Sequence, residues 1–314
     1  MARSLALVGL VVLSRALSPP RATVASLRAD VVAADAAPAV AALASDGVVR
    51  VEGVLAPRAA AALLAHVNER LETALREAED EMARGGLDGL DPSELVRRAG
   101  DALARSFGDA ICPGHRRDLK LSLDPPVRRA LAEVLDALQP TLAACLGARA
   151  ELYELAALVS DPGARAQPVH PDTPFYEGEG AAVMTAFVAL QPVDASMGPT
   201  LFLPGTHSRA AHDALLEGDR AATRVLSGAA AFEAVMGAGD CTLYDSRLLH
   251  RGGANTSARR RVLFYCSFRA RGARMPARGS QGTMLEDLRD KHELASRDRW
   301  LAESPGFREE TADR

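Results

Sequence analysis

Apolar residues recur at three- and four-residue intervals through the first half of the chain. In the second half they come as alternations or short unbroken runs. AAPAVAALASDGVVRVEGVL (36–55) reads as a helix stopped at Gly47, then a short alternating strand. PRAAAALLAHVNERLETALREAEDEM (57–82) opens with Pro57 in a first-turn position and keeps helical spacing throughout, which predicts a long amphipathic helix. GGLDGLDP (85–92) breaks it, and a second helix is expected from about Ser93 to Arg105. RRDLKLSL (116–123) alternates as a strand. Asp124 then stands as the cap of a helix that opens on Pro125 and Pro126 and runs to about Leu146.

From about residue 150 the texture changes. AELYELAALV, AAVMTAFVALQPV, TLFLPG, CTLYD and RVLFYCSF are short apolar runs separated by turn residues. Ten of the thirteen aromatic residues lie between Tyr153 and Phe268, and aromatic and β-branched residues favour strands. Several short strands at this spacing predict a sandwich or barrel. Helices first and strands second, without alternation, argue for an α+β fold with an antiparallel core. The segment DALLEGDRAATRVLSGAAAFEAVM (213–236) is expected to be a substrate-covering insertion, since long loops on a β scaffold often carry that role. The charged segment after Arg269 is expected to end in a helix containing Trp300.

Composition narrows the classes. The 314 residues suffice for one large domain or two small ones, and a net charge of −4 gives no reason to expect a nucleic-acid partner. Lys120 and Lys291 are the two lysines among 37 basic residues, so most arginine clusters read as solvated surface. Four scattered cysteines make neither a disulfide framework nor a zinc site. MARSLALVGLVVLSRALS (1–18) has an early arginine, an apolar run too short to span a bilayer and small residues behind it. It reads as a targeting segment for the secretory pathway or an organelle, with a cytoplasmic protein as the alternative and 19–35 as a linker. No other stretch resembles a membrane span. The remaining boundaries are 36–280 for the main domain, with its β-core at about 116–270, and 281–314 for a charged helical tail.

Candidate chemistry starts at QPVHPDTPFYEGEG (167–180). On a strand, residues i and i+2 point to one side, so His170 and Asp172 would present an imidazole and a carboxylate to one point. With seven histidines and 41 acidic residues such a pairing is expected by chance, and a turn with a locally bonded aspartate explains it equally. GAGDCTLYDSRLLHRGGANTS (237–257) adds His250, followed by two glycines that would let backbone approach whatever the imidazole binds. Two histidines and one carboxylate on a face of an octahedron leave positions open for a co-substrate and dioxygen, which suits non-haem Fe(II). Zinc would accept the same ligands. Eleven residues further, Arg261 opens the apolar strand RVLFYCSF. Its burial would be costly without an anion, and a dicarboxylate such as 2-oxoglutarate would supply one. The plain alternative is a surface arginine in the run ARRR (258–261).

HPD, MGPTLFLPGTH (197–207) and GDCTLYDSRLLHRGGANTSARRRVLFY, in this order and spacing, resemble the phytanoyl-CoA dioxygenase family of Fe(II)/2-oxoglutarate oxygenases over roughly residues 45–270. The resemblance implies a double-stranded β-helix core (jelly-roll, cupin-like) with N-terminal helices packed on it. It implies iron ligands His170, Asp172 and His250, with Arg261 on 2-oxoglutarate and Lys120 as a further co-substrate contact. His207 would pack or bond near the site. A hydroxyl residue often follows the last ligand by two positions in this family. Gly252 stands there instead, leaving Thr173, Tyr153 and Thr185 as replacement candidates.

The implied cofactors are Fe(II) and 2-oxoglutarate, with ascorbate as a candidate reductant. The implied reaction is hydroxylation of a small-molecule C–H bond with O2, releasing succinate and CO2. The presence of Asp172 favours hydroxylation over halogenation. A monomer or weak homodimer is expected. Arg269, Arg271, Arg274 and Arg278 could attract the phosphates of a CoA thioester or form a solvated face. The rival readings are a zinc or manganese enzyme on a cupin-like barrel and a non-catalytic protein that binds 2-oxoglutarate or metal.

Overall fold

A computed structural model describes residues 36–84, 100, 103–108, 115–176, 180–217, 219–275 and 282–303. The expected targeting segment, the linker and most of the helix expected at 93–105 lie outside them. The helical half follows its periodicity. Helix α1 (Ala36–Asp46) leads into β1 (Val48–Val51), and α2 (Pro57–Arg84) buries Ala60, Leu63, Val67, Leu71 and Ala74 along one face. Strand β2 (Arg116–Lys120) precedes α3 (Pro125–Leu146), whose two opening prolines occupy the first turn, where no N–H is needed. Asp124 sits at the cap position of α3 but makes no capping bond; its carboxylate accepts from the Ser122 hydroxyl at 2.6 Å instead.

The second half supplies β3 (Glu151–Ser160), β4 (Val183–Ala189), β5 (Thr200–Phe202), α4 (Arg209–Glu217), α5 (Asp219–Gly228), β6 (Phe232–Glu233), β7 (Cys241–Asp245), β8 (His250–Gly252), β9 (Arg261–Arg269) and α6 (Arg297–Glu303). The strands form a six-stranded sheet in the order β1-β7-β4-β9-β3-β2 and a three-stranded sheet in the order β6-β5-β8, with every pairing antiparallel. One face of the large sheet packs on the helices through Leu243, Val262, Phe264 and Phe268. The other meets the small sheet, where Phe187, Tyr244, Leu263 and Tyr265 pack with Phe202 and Phe232. This is an α+β fold on a double-stranded β-helix core.

Two expectations need correction. The β-core does not begin at 116, because β1 completes the large sheet by pairing with β7 along Val48↔Tyr244 to Val51↔Cys241. The segment 282–303 is no separate tail. Met284, Leu288, Leu294, Trp300 and Leu301 are buried in the helix-side core, and Leu152 and Leu294 exchange backbone bonds with His292 and Ala150. The segment 213–236 packs on the small sheet, and its Phe232, Ala234 and Met236 join the inter-sheet core. The helices α4 and α5 bury Ala211 and Leu226 against Leu201, Leu203 and Leu249, and the alternation of β5 turns Leu201 away from the inter-sheet core. Among the described residues no helix is long and apolar enough to cross a membrane.

Candidate active site

Strand β8 carries His250, and an isolated antiparallel bridge places His170 directly opposite. The two residues exchange backbone bonds of 2.9 and 3.0 Å. Asp172 reaches them through a different device from the strand alternation expected. Its backbone N–H and that of Thr173 both donate to the Ser246 carbonyl, and the Thr173 and Ser246 hydroxyls bond each other at 2.6 Å. The carboxylate Oδ1 then lies 3.5 Å from Nε2 of His250 and 3.8 Å from Nε2 of His170. The three donor atoms fall within 4.8 Å of one another, a spacing that one ion can bridge.

The surroundings fit a metal. Nδ1–H of His170 donates to the Pro168 carbonyl and Nδ1–H of His250 to the Leu248 carbonyl, each at 2.8 Å, so both Nε2 lone pairs turn toward Asp172. Burial, then the neighbouring His250, hold the His170 imidazole below its ordinary value against the pull of Asp172. A neutral ring is the ligating form. The Tyr244 hydroxyl donates to the second carboxylate oxygen, Oδ2, at 2.9 Å.

The buried arginine expected at the start of β9 is there, and it has company. Arg261 is fully buried. Its guanidinium donates to the Gly198 carbonyl and to the Ser160 hydroxyl at 3.0 Å, its Nε makes no hydrogen bond, and among the described residues no carboxylate bonds it. Arg116 on β2, 2% exposed, donates to the same Ser160 oxygen at 2.7 Å and to the Gly253 carbonyl at 2.9 Å. Burial and then Arg116 pull the Arg261 guanidinium down to about 9. Two adjacent buried cations are unfavourable unless an anion joins them. Arg116 sits beside Gly252, two residues along β8 from His250, roughly 6–7 Å of extended chain.

Gly252 explains how Arg116 fits. A Cβ there would lie 2.6 Å from Nη1 of Arg116 and 2.6 Å from Oε1 of Gln167. The glycine thus makes room for the guanidinium and for Gln167, whose Oε1 accepts from the Gly252 N–H at 3.0 Å. Gly198, in the left-handed region at φ 69°, allows its loop to pass against the Gly253 and Ala254 backbone and deliver its carbonyl to Arg261. Neither Arg116 nor Gln167 was picked out by the sequence reading. Their signal was the alternation of RRDLKLSL, which puts Arg116, Asp118 and Lys120 on one face, together with the glutamine three residues before His170.

The other expected contacts have partners within the protein. The Lys120 ammonium donates to the Ala104 carbonyl at 2.5 Å, and His207 Nε2 bonds the Ala44 carbonyl at 3.3 Å beside α1. Thr173 is committed to Ser246, and Arg269 lies over the Tyr153 ring. Across from the triad, the large sheet presents Asp118 and Glu154. Burial raises Asp118 to about 6, opposed by hydrogen bonds from Thr283 and Tyr265, and raises Glu154 to about 7, opposed by the bond from Ser267. Both are raised further by Asp172, which places them near the triad.

A family model described as phytanoyl-CoA dioxygenase (PhyH) matches residues 43–263. The chain belongs to the phytanoyl-CoA dioxygenase family. Within the family's range lie the whole triad, both arginines and Gly252. Dioxygenase FrzG of Cladobotryum sp is 36% identical over 104 residues, which are 31% of this chain and 33% of that protein. The match therefore spans about a third of that relative. Among solved structures, the non-haem alpha-ketoglutarate-dependent epimerase SnoN from nogalamycin biosynthesis superposes with a TM-score of 0.54 at 19% identity, covering 78% of this chain and 91% of that one. AviO1 from Streptomyces viridochromogenes Tue57 gives 0.51 at 20% identity, covering 77% and 98%. These likenesses establish the shared fold. SnoN has also been solved in complex with Fe3+, alpha-ketoglutarate and nogalamycin RO.

Proposed function

We propose that the protein is an Fe(II)- and 2-oxoglutarate-dependent dioxygenase that hydroxylates a C–H bond of a small molecule. His170, Asp172 and His250 hold the iron, and Arg261 holds the distal carboxylate of 2-oxoglutarate. The observation that carries this reading is the fully buried Arg261 beside buried Arg116, whose charge acts on the His170 imidazole of the His-Asp-His cluster. A zinc or manganese enzyme without 2-oxoglutarate would give the buried Arg261 guanidinium no anion among the described residues.

When bound, Fe(II) with 2-oxoglutarate and O2 supplies the oxidising power: one oxygen atom enters the substrate C–H bond, the other enters succinate, and CO2 leaves. The chain's own part is positional. The Pro168 and Leu248 carbonyls fix the imidazole orientations, and the paired guanidiniums neutralise and aim the co-substrate. Phe187, Leu263 and Phe202 keep the inter-sheet space dry. Asp118 and Glu154 disfavour an anionic substrate group on their side. Arg269 is paired with Glu151 and Asp290, Arg271 with Glu293, and Arg274 lies over Tyr176, so these three are better read as structural than as a CoA phosphate site, while Arg278 lies outside the described residues.

The test is calorimetric titration of 2-oxoglutarate into anaerobic protein with and without Fe(II), repeated on Asp172→Ala and Arg261→Ala. Iron-dependent binding that weakens in both variants is expected. No binding to folded, iron-loaded wild type would sink the oxygenase reading.

A further inference from the structure

Between β7 and β8 the chain makes a tight turn, Asp245-Ser246-Arg247-Leu248, closed by the Leu248 N–H on the Asp245 carbonyl at 2.8 Å. The other three carbonyls of the turn also have partners, and two of them serve candidate metal ligands. The Ser246 carbonyl accepts from the backbone N–H of Asp172 and of Thr173 at 2.8 and 3.0 Å. The Leu248 carbonyl accepts from Nδ1 of His250 at 2.8 Å. The Arg247 carbonyl accepts from Nε2 of His212, on α4, at 2.7 Å. Any shift of this turn therefore moves Asp172 and His250 together.

The turn is braced more heavily than its shape requires. Asp245 Oδ1 accepts from the Arg247 N–H at 2.9 Å, which by itself makes an ordinary Asx turn. The Arg247 guanidinium adds a fork: Nε lies 3.0 and 3.2 Å from the two Asp245 oxygens, and Nη2 lies 2.6 Å from Oδ2. Asp245 and Arg247 are 2% and 9% exposed. Burying two charges carries a desolvation cost that an apolar pair would avoid, so turn stability alone is a poor account of the fork. The same guanidinium lies over the ring of Phe175, 5.3 Å from its centroid, and the His212 ring meets Phe175 at 5.9 Å. Phe175 is three residues past Asp172. The stretch 172–175 is thus held at both ends, by Ser246 at its start and by Arg247 and His212 at Phe175.

We infer that Arg247 and His212 are positioning residues for the metal centre. The Arg247–Asp245 fork fixes the turn that aims Asp172 and His250, while His212 and Phe175 lock that turn to α4 and to the chain that follows Asp172. Neither Arg247 nor His212 is a ligand; both act through backbone carbonyls. The bracing matters most for Asp172, whose side chain is 37% exposed and so gains little from packing. It also gives α4 a second task beside its apolar contact with the small sheet, because His212 makes that helix part of the support of the site. The inference rests on the His170, Asp172 and His250 metal reading for its purpose, while the bracing itself can be measured without metal.

Three variants separate positioning from plain support. Arg247→Lys keeps a charge opposite Asp245 but loses the planar fork and the contact with Phe175. His212→Leu removes the donor to the Arg247 carbonyl, and His212→Gln supplies an amide N–H in its place. The first readout is amide hydrogen exchange on the metal-free chain. Arg247→Lys and His212→Leu should each speed exchange at Asp172 and Thr173 about tenfold, the worth of one hydrogen bond, while the β9 amides from Val262 to Phe268 keep their wild-type rates. His212→Gln should restore protection. Equal loss of protection along β9 would show a merely structural role and overturn the inference, as would unchanged rates at Asp172 and Thr173 in both variants. The second readout is Mn(II) binding to the full chain, which should weaken about tenfold in Arg247→Lys and His212→Leu and recover in His212→Gln. Unchanged Mn(II) affinity in the first two variants would overturn the positioning role. Failure of wild type to bind Mn(II) or Fe(II) would sink the metal reading, and the exchange rates would then decide whether the brace holds residues 172 and 173.

Discussion

The two faces of the large sheet are built from the same strands and do opposite things. On β9, Val262, Phe264, Cys266 and Phe268 face the helices, while Arg261, Leu263, Tyr265 and Ser267 face the small sheet. The first set is apolar throughout. The second is just as buried yet half polar, and its polar members meet partners on other strands: Ser160, Asp118, Thr185 and Glu154. Buried polar groups on one face only, bonded to partners on other strands, mark the working side of a sheet whose other side merely holds it together. The comparison predicts that mutations on the helix face cost stability, whereas those on the inner face cost binding.

The largest effect should come from the helix face. Phe264→Ala removes a fully buried ring and should lose about 3–5 kcal/mol in chemical denaturation. A loss below 1 kcal/mol would erase the distinction between the faces. Arg261→Ala should leave stability unchanged or raised, since it separates two buried cations, while weakening 2-oxoglutarate about 30-fold or more by calorimetry. Arg261→Lys should fail to restore affinity because the two-point fork is gone. If Arg261→Ala unfolds the chain instead, the arginine belongs to the structure and not to the site.

Gly252→Ala is a smaller and sharper probe. Its methyl group would displace Arg116 or Gln167, so 2-oxoglutarate affinity should fall several-fold, with a stability cost of about 1–3 kcal/mol. Adding Arg116→Ala should recover the stability but not the affinity. The smallest effect is on pH dependence. Asp118 and Glu154 hold protons in the folded state up to about 6 and 7, above the ordinary carboxylate value, so between these limits the native state binds more protons than the unfolded one. Their contribution to stability is therefore full below about pH 4 and is lost as pH rises through 6 and 7. Denaturation midpoints measured from pH 4 to 8 should fall more steeply for wild type than for Asp118→Asn. Parallel curves would show that burial does not perturb these carboxyls.

Much of this was legible in one dimension. The 3.6-residue period of α2, the two prolines opening α3 and the runs of β3, β4, β7 and β9 predicted their elements closely, because each depends on local spacing and steric rules. His170, Asp172, His250 and Arg261 stood out because each is an odd residue for its neighbourhood. Asp172 nevertheless reaches the histidines by way of Ser246, 74 residues further along, and not by the strand alternation its position suggested. Arg116 lay in a strand whose charged alternation reads as solvent-facing until β3 and the loops carrying Gly198 and Gly253 close over it. The segment 282–303 reads as a charged tail because its apolar residues are sparse, yet Trp300 and Leu301 find the helix-side core.

The sequence by itself determined where chain direction changes, which residues lean on helices, and which few side chains are candidates for metal and anion chemistry. Those follow from short-range periodicity and from the scarcity of histidine. Only the tertiary structure decided that Arg116 joins Arg261, that Gly252 is a gap made for a guanidinium, and that Tyr244, Thr185, Ser267 and Glu154 align into one row. Cross-strand register sets all three. It depends on long-range pairing between segments up to 137 residues apart, whose partners are chosen by burial of the whole sheet and not by any local pattern.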